Sequence, residues 1–169
     1  MKRQFKYSVV LILLVLGTLK AQNNKPTELE KSNMLYMLEE EKLAYDVYQH
    51  LNTVWNQRIF NNISQSELRH IEKMEELLAI NKVSYSFNKE SGKFTNNALQ
   101  QLYNELTKKG SISLQDALEV GKLIEETDIK DLENAINNTQ DAYAKEVYAN
   151  LIWASKNHLN AFNRKLYKY

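Results

Sequence analysis

The chain has 169 residues, enough for one domain with a sizeable core. It contains no cysteine, which excludes disulfides, thiolate metal sites and cysteine catalysis, and its formal net charge of +1 gives no electrostatic support for binding nucleic acid. One proline and four glycines in the whole chain indicate long uninterrupted helices, because both residues break helices.

Residues 1–21 have the pattern of a secretory signal peptide. Three basic residues precede an apolar run over 8–19, and Ala21 is a small residue suited to a cleavage point. The run is shorter than the roughly 20 residues that span a bilayer, so we expect no stable membrane anchor after cleavage. Residues 22–169 then form the mature domain, which is mildly acidic. We therefore expect an exported protein, either periplasmic or extracellular.

Apolar periodicity and capping signals predict four long helices and one short helix. The predicted helices are A from about Thr27 to Trp55, B from about Ser64 to Asn81, a short helix from about Asn97 to Lys109, C from Ser113 to about Asn137, and D to about Leu166. Capping-box patterns begin at Ser64 and Ser113. Gly110 is expected at the C′ position after the short helix, and Asn138 or Thr139 is expected to cap helix D.

The lengths of the connections predict the topology. The links from A to B and from C to D are short, so each pair should form an antiparallel hairpin. The link from B to C takes about 30 residues, which is enough to travel the length of the bundle. We therefore predict an all-α, ferritin-like four-helix bundle, with two antiparallel helix hairpins joined by a long crossover that contains the short extra helix.

Acidic residues and histidines fall on the apolar stripe of every long helix when residues are placed at about 100° steps. Glu41 falls at the centre of the helix A stripe, whereas Glu39 and Glu40 fall outside it and are expected to be solvated. Tyr45 and Tyr48 share the Glu41 face and are interpreted as core aromatics with hydrogen-bonded hydroxyls. The alternative is that they carry a radical or support the metal ligands. The candidate residues on the stripes are Glu41 on helix A, Glu67 and His70 on helix B, Glu125 and Asp128 on helix C, and His158 on helix D.

Buried together, these six side chains would be mostly anionic, and no lysine or arginine lies at the stripe centres to neutralise them. An ionised carboxylate in an apolar core costs several kcal/mol or more unless it is paired or bound to metal. Divalent cations would remove that cost. Carboxylate and imidazole donors without sulfur suit iron, with manganese or another divalent metal as alternatives. The pattern therefore predicts that all six residues are metal ligands.

Each candidate also has a purely structural interpretation. Glu67 would be the N3 residue of the capping box that starts at Ser64. His70 and His158 would be hydrogen-bonded core histidines, and the two carboxylates of helix C would lie at the rim of the bundle. Candidate ligands on all four stripes, at similar depths along the bundle, favour metal binding over these separate explanations.

Four segments resemble an uncharacterised bacterial and archaeal domain family of the ferritin-like superfamily. The segments are EEEKLAYDVY (39–48), SELRH (66–70), LIEETDI (123–129) and SKNHLNAF (155–162), and the resemblance covers most of the mature chain. The chain is also similar to rubrerythrin, a ferritin-like di-iron peroxidase. The helices of rubrerythrin supply a Glu, an ExxH pair, two carboxylates at i and i+3, and a second ExxH pair.

The similarity to rubrerythrin implies a role for each candidate. Glu41 matches the first Glu, Glu67 and His70 match the first ExxH pair, and Glu125 with Asp128 resembles the pair of carboxylates. His158 matches the second ExxH pair, but Ser155 stands at its Glu position, and the cysteine module of rubrerythrins is absent. The resemblance implies a di-iron site that oxidises iron or reduces dioxygen or peroxide. A non-catalytic metal-binding or structural bundle is the alternative, and assembly as a homodimer is left open.

Overall fold

The computed structural model describes residues 25–168. It contains the helices α1 (Glu28–Trp55), α2 (Arg58–Ile80), α3 (Asn97–Gly110), α4 (Leu114–Asn137) and α5 (Ala142–Leu166). Residues 25–168 contain no β-strand, which confirms the prediction of an all-α fold. None of these five helices has both the length and the apolar composition needed to cross a membrane. The predicted signal peptide, residues 1–21, lies outside the described residues.

The four long helices form a bundle of two antiparallel hairpins. α1 packs along α2 and α4 packs along α5, and the hairpins meet where α1 lies against α4 and α2 lies against α5. The crossover, residues 81–113, starts beside the first turns of α1, where Val83 and Leu35 line the same surface depression. It ends beside the last turn of α1, where Trp55 Nε1 donates to the carbonyl oxygen of Gly110 at 2.7 Å. The crossover therefore spans the length of the bundle, which confirms the predicted topology.

Local capping chemistry explains where most helices begin and end. Thr27 and Glu30 form a capping box at the start of α1, with Thr27 Oγ1 accepting from Glu30 N at 3.2 Å and the Glu30 carboxylate accepting from Thr27 N at 2.8 Å. Ser113 caps α4 as predicted and accepts from Asp116 N at 3.0 Å. Asn56 closes α1 with a φ of 48°, in the left-handed region that asparagine tolerates.

The predicted start of the second helix is wrong. α2 begins at Arg58, more than a turn before Ser64, so no capping box begins at Ser64. The Ser64 hydroxyl instead donates to the Asn61 carbonyl oxygen at 2.9 Å inside the helix. Phe60 and Ile63 are buried in the core, and this burial extends the helix over residues whose local capping signals are weak.

Two further predicted helix ends are also wrong. α3 continues through Gly110, so this glycine is the last residue of the helix rather than the C′ residue. Its missing side chain serves packing, because a Cβ at Gly110 would lie 2.6 Å from Cδ2 of Leu51 on α1. α5 is capped by Asp141 rather than by Asn138 or Thr139, and the Asp141 carboxylate accepts from two backbone N–H groups of the first turn.

A layer of polar side chains divides the apolar core into two clusters. One cluster contains Met37 and Leu77 and the other contains Val47 and Phe162. The buried members of the layer between them are Glu41, Glu67, His70, Glu125, Asp128 and Ser155, with His158 half-buried beside them. Apolar packing above and below therefore holds the polar side chains at one depth of the bundle.

Candidate metal centre

Glu67 lies at the centre of the polar layer, between two histidines from different helices. His70 Nδ1 is 2.7 Å from Glu67 Oε2, and His158 Nδ1 is 2.9 Å from Glu67 Oε1. The two imidazole rings are stacked, with 5.7 Å between their centroids. Each oxygen of the Glu67 carboxylate thus faces a different histidine.

Glu41 and Glu125 extend the cluster on either side of Glu67. His70 Nδ1 is 3.1 Å from Glu41 Oε2, and His158 Nδ1 is 3.3 Å from Glu125 Oε2. Two groups of three potential ligands result, namely Glu41, Glu67 and His70, and Glu67, Glu125 and His158. Within each group the ligand atoms lie within 4.8 Å of one another. The groups share Glu67, and every long helix contributes at least one donor.

Helical spacing and apolar anchors position these donors. Glu67 and His70 lie at i and i+3 of α2, so both point from one helix face. Ile63 and Met74, which are buried one turn before and one turn after the pair, turn that face toward the core. The two carboxylates of α4 have the same spacing, so the same argument places both of them inside the bundle.

Several buried polar atoms of the layer have no hydrogen-bond partner. The atoms are Oε1 of Glu41, Oε1 of Glu67, Oδ1 of Asp128 and Nδ1 of His158. Although His158 Nδ1 and Glu67 Oε1 are 2.9 Å apart, their relative orientation does not allow a hydrogen bond. Buried donors and acceptors are normally paired, so the unpaired oxygen and nitrogen atoms of Glu41, Glu67 and His158, which belong to the two groups of potential ligands, fit a divalent cation.

Burial and mutual contact shift the protonation of the cluster. Burial raises the pKa of Glu41 to about 7, and burial together with the charge of Glu67 raises the pKa of Glu125 to about 7. Burial also opposes the charge of Glu67, but the contacts with His70 and His158 outweigh it and lower the Glu67 pKa to about 2. Burial favours neutral histidines, but the facing carboxylates raise the pKa of His70 well above its usual value and that of His158 to about 9.

Asp128 lies beside the cluster but belongs to neither group of three. Its Oδ2 accepts a hydrogen bond from Ser155 Oγ at 2.6 Å. Burial and the negative charges of Glu41, Glu40 and Glu125 raise the pKa of Asp128 well above its ordinary range. Ser155, which stands where the resemblance leads us to expect a glutamate, therefore supports the carboxyl group of Asp128.

The structure brings all six predicted side chains into one buried layer. Five of them form the two groups of potential ligands, and Asp128 lies next to these groups. Glu125 and Asp128 are 1% and 5% exposed, so the interpretation of these carboxylates as rim residues is wrong. The capping interpretation of Glu67 is also wrong, because α2 begins before that position.

Glu40 and Tyr48 are buried neighbours of the cluster. The prediction that Glu40 is solvated is wrong, because Glu40 is 5% exposed. α1 packs against α4 as well as α2, so a second face of α1 is buried in addition to its main apolar stripe. Tyr48 is a buried core aromatic whose hydroxyl is hydrogen-bonded, as interpreted from the sequence. The hydroxyl donates to Glu125 Oε1 at 2.6 Å, so its partner is a candidate ligand.

A surface cavity of about 300 Å³ between α2 and α5 reaches the cluster at His70. Arg69, Lys73 and Tyr143 lie on its walls. A larger cavity of about 880 Å³ lies near Arg58, at the end of the bundle and away from the cluster. The smaller cavity is therefore the one through which a small molecule would approach His70.

The fold and the site define an all-α bundle with a buried carboxylate and histidine cluster that could hold metal. The family described as an uncharacterized protein domain (DUF2202) matches residues 30–168, and the chain belongs to this family. Uncharacterized protein MJ0754 of Methanocaldococcus jannaschii is 43% identical over 144 residues, which cover 85% of this chain and 78% of that protein. The crystal structure of hypothetical protein MJ0754 from Methanococcus jannaschii DSM 2661 has a TM-score of 0.83 and 42% identity, over 86% of this chain and 84% of that chain. The predicted membership of an uncharacterised domain family is therefore confirmed.

Proposed function

We propose that this protein is a ferritin-like metalloprotein that binds two divalent ions, with iron as the first candidate, in the buried cluster. The observation that carries the proposal is the position of Glu67, whose two carboxylate oxygens face two histidines from different helices. A hairpin, crossover and hairpin with inward ligands on all four helices is typical of di-metal carboxylate proteins. Glu41, Glu67 and His70 would hold one ion, and Glu67, Glu125 and His158 would hold the other.

Metal binding accounts for charges that the apolar core would otherwise disfavour. A cation can replace the proton that burial favours on Glu41 and Glu125. The histidines would bind as neutral imidazoles through Nδ1, the nitrogen that faces the carboxylates. Oxygen and nitrogen donors without sulfur suit iron or manganese.

When bound, two ferrous ions would each supply one electron to an oxidant, and with two protons these electrons convert dioxygen to hydrogen peroxide or hydrogen peroxide to water. The residues around the cluster prepare it for this chemistry. Tyr48 orients Glu125 through its hydrogen bond. Ser155 orients Asp128 by donating to its Oδ2, and burial raises the pKa of this carboxyl group. Repeated turnover needs an external one-electron donor that reduces the two iron ions again.

Metal content tests this proposal directly. We expect up to two ions per chain when the protein is purified without chelator, loaded with ferrous iron under anaerobic conditions and measured by inductively coupled plasma mass spectrometry. Glu67→Gln should lose both ions because both groups share that carboxylate, whereas Glu41→Gln should retain one. Glu72→Gln, on the exposed face of α2, is the matched control and should retain both. A wild-type chain that holds no metal would contradict the proposal.

A second candidate function is metal binding without turnover. Ser155 supports Asp128 instead of supplying a second bridging carboxylate, and the chain has no cysteine for an electron-transfer module. Oxygen and peroxide consumption by the iron-loaded protein separates the two functions. Consumption no faster than that of free ferrous iron would favour the non-catalytic function.

We also propose that the protein is exported, on the basis of the pattern in residues 1–21. Mass spectrometry of the protein recovered from its native cells should find an N-terminus near residue 22. A chain that retains residues 1–21 and stays in the cytoplasmic fraction would contradict this proposal.

A further inference from the structure

A second surface cavity, of about 320 Å³, opens between α1 and α4, on the opposite side of the bundle from the His70 cavity. Asn33, Tyr36, Asp131 and Asn134 are polar residues on its walls, and Asp131 is half-buried. Burial and the negative charges of Glu40 and Asp131 raise the pKa of Tyr36 to about 12. Asp131 therefore gives this cavity an acidic wall.

Glu40 lies behind this cavity and is a buried carboxylate without a counter-ion. It is 5% exposed, and its Oε2 has no hydrogen-bond partner. Burial, followed by the charges of Asp131 and Glu41, raises the pKa of Glu40 well above its ordinary range. Within residues 25–168, neither Glu40 nor Asp131 lies within 4 Å of a lysine, arginine or histidine nitrogen in an ion pair. The unpaired Oε2 of Glu40 could therefore bind a cation transiently.

Acidic residues of α4 lead from the cavity to the cluster. Asp131, Asp128 and Glu125 follow one another at intervals of three residues, so they lie along one helix face with about 5–6 Å between successive Cβ atoms. Asp128 is close enough to Glu40 and Glu41 of α1 for both charges to raise its pKa. Carboxyl groups from two helices therefore lie between the α1–α4 cavity and the candidate ligands.

We propose that Asp131, Glu40 and Asp128 form an uptake route that captures divalent cations at the α1–α4 cavity and transfers them to the buried cluster. The inference rests on the proposed metal-binding function. Carboxylate oxygens are hard ligands that suit such cations, and a cleft lined by one sign of charge raises the local ion concentration and the association rate. The cavity on the opposite side carries Arg69 and Lys73 with one acidic residue, Glu146, so its lining is less favourable to a cation.

The rate of metal loading tests the uptake route. The metal-free protein would be mixed with Co²⁺ in a stopped-flow instrument and followed by ligand-field absorption, with final stoichiometry measured by calorimetry. Asp131→Asn and Glu40→Gln preserve side-chain size. Asp131→Asn removes an acidic group from the cavity wall, and Glu40→Gln removes the carboxyl group whose oxygen is unpaired. Both variants should load about tenfold more slowly than the wild type and reach the same stoichiometry. Added salt should slow the wild type more than Asp131→Asn.

Glu126→Gln is the matched control, because it removes the same charge from an exposed position of α4 and should load at the wild-type rate. Wild-type rates in both Asp131→Asn and Glu40→Gln would overturn the route and leave the proposed metal site intact. Slow loading in Glu126→Gln as well, or a lower final stoichiometry in the route variants, would also overturn it. A wild type that binds no Co²⁺ would overturn both proposals. Circular dichroism checks that each variant folds. If Asp131→Asn does not fold, the loading rate of Glu40→Gln alone tests the route.

Discussion

Three consecutive glutamates of α1 have three different environments. The Glu39 carboxylate accepts from the backbone N–H of Asn96 at 3.0 Å and so contacts the crossover. Glu40 is buried toward Asp131 of α4, and Glu41 is buried toward His70 of α2. Successive residues of a helix point about 100° apart, so each glutamate meets a different neighbour. The contacts and burial of these three identical side chains are therefore set by the direction in which each one points.

Tyr48 is the residue whose contact with a candidate ligand can be removed most cleanly. Its hydroxyl donates to Glu125 Oε1 at 2.6 Å, and Tyr48→Phe would leave that oxygen without its donor. We expect the affinity for the ion held by Glu125 to fall about tenfold, because partners of ligating carboxylates orient them and tune their basicity. Isothermal titration with Co²⁺ or Mn²⁺ measures this change.

Tyr148→Phe is the control for this prediction. Tyr148 is 1% exposed and packs in the apolar cluster that contains Met37, away from Glu125. It should bind both ions with wild-type affinity. Equal affinity losses in the two variants would show that the Tyr48 hydroxyl has no specific role in metal binding.

At the scale of elements, one buried ion pair attaches the crossover to α1. Lys42 Nζ contacts Asp46 Oδ2 and donates to the carbonyl oxygens of Glu90 and Lys93 at 3.1 Å and 3.2 Å. The backbone N–H of Gly92 donates to Asp46 Oδ2 at 2.9 Å. Lys42 and Asp46 therefore neutralise each other's charge. They also form hydrogen bonds with the backbone of residues 90–93, which lie outside the helices.

Lys42→Met should destabilise the protein by about 3–5 kcal/mol, because it leaves Asp46 buried without its partner. Urea unfolding measures the loss, and hydrogen exchange should increase over the crossover near Gly92. Lys73→Met is the control, since Lys73 pairs with Glu76 on the surface and should change stability little. Similar losses in the two variants would contradict the role assigned to Lys42.

Glu30 joins the start of α1 to the turn between α4 and α5. Its carboxylate accepts from Thr139 Oγ1 at 2.7 Å and from Gln140 N at 3.1 Å, in addition to the Thr27 backbone. The hydrogen bond from Thr139, followed by the one from the Thr27 backbone, contributes most to lowering the pKa of Glu30 from 4.5 to about 2. The ionised form of Glu30 therefore stabilises the contact between the start of α1 and the turn between α4 and α5.

Glu30→Gln should lower stability at pH 7 by at most about 1 kcal/mol, since solvent screens a partly exposed carboxylate. Because the folded-state pKa lies below the unfolded value, this stabilisation is complete above pH 4.5 and is lost as the pH falls toward 2. The difference between wild type and variant, measured by denaturant unfolding at pH 7 and pH 3, should shrink on acidification. Glu28→Gln, at an exposed position, should show no such trend.

At the scale of the whole molecule, the bundle places a polar layer between two apolar clusters. The apolar clusters supply the driving force for folding, whereas the buried carboxylates of the layer oppose it unless they are neutralised. The hydrogen bonds of the protein itself satisfy the layer only in part, as the unpaired oxygens of Glu41 and Asp128 show. On the proposed function, stability should therefore rise when the layer binds metal.

Metal removal tests this dependence. At a thousandfold excess over Kd, one bound ion stabilises the folded state by about 4 kcal/mol, which corresponds to a rise of about 10 °C in Tm for a domain of this size. Calorimetry with and without EDTA should show this shift in the wild type. Glu67→Gln should lose the shift, whereas Glu72→Gln should keep it. An identical Tm with and without metal in the wild type would contradict the prediction.

The sequence alone was sufficient for the architecture and for most of the candidate site. Helix periodicity and connection length are local properties, so they predict the two hairpins and the crossover without knowledge of packing. The same periodicity separates Glu41 from Glu39, and the i, i+3 spacing pairs Glu67 with His70. These residues are found together because each lies on the main apolar stripe of its own helix.

The tertiary structure alone decided which side chains meet across helices. The burial of Glu40 depends on the rotation of α1 against α4, and the support of Asp128 by Ser155 depends on the register of α4 against α5. The start of α2 at Arg58 depends on burial of Phe60 rather than on a capping signal. Periodicity describes one helix at a time, whereas contacts between helices depend on their relative rotation and register, which no single helix encodes.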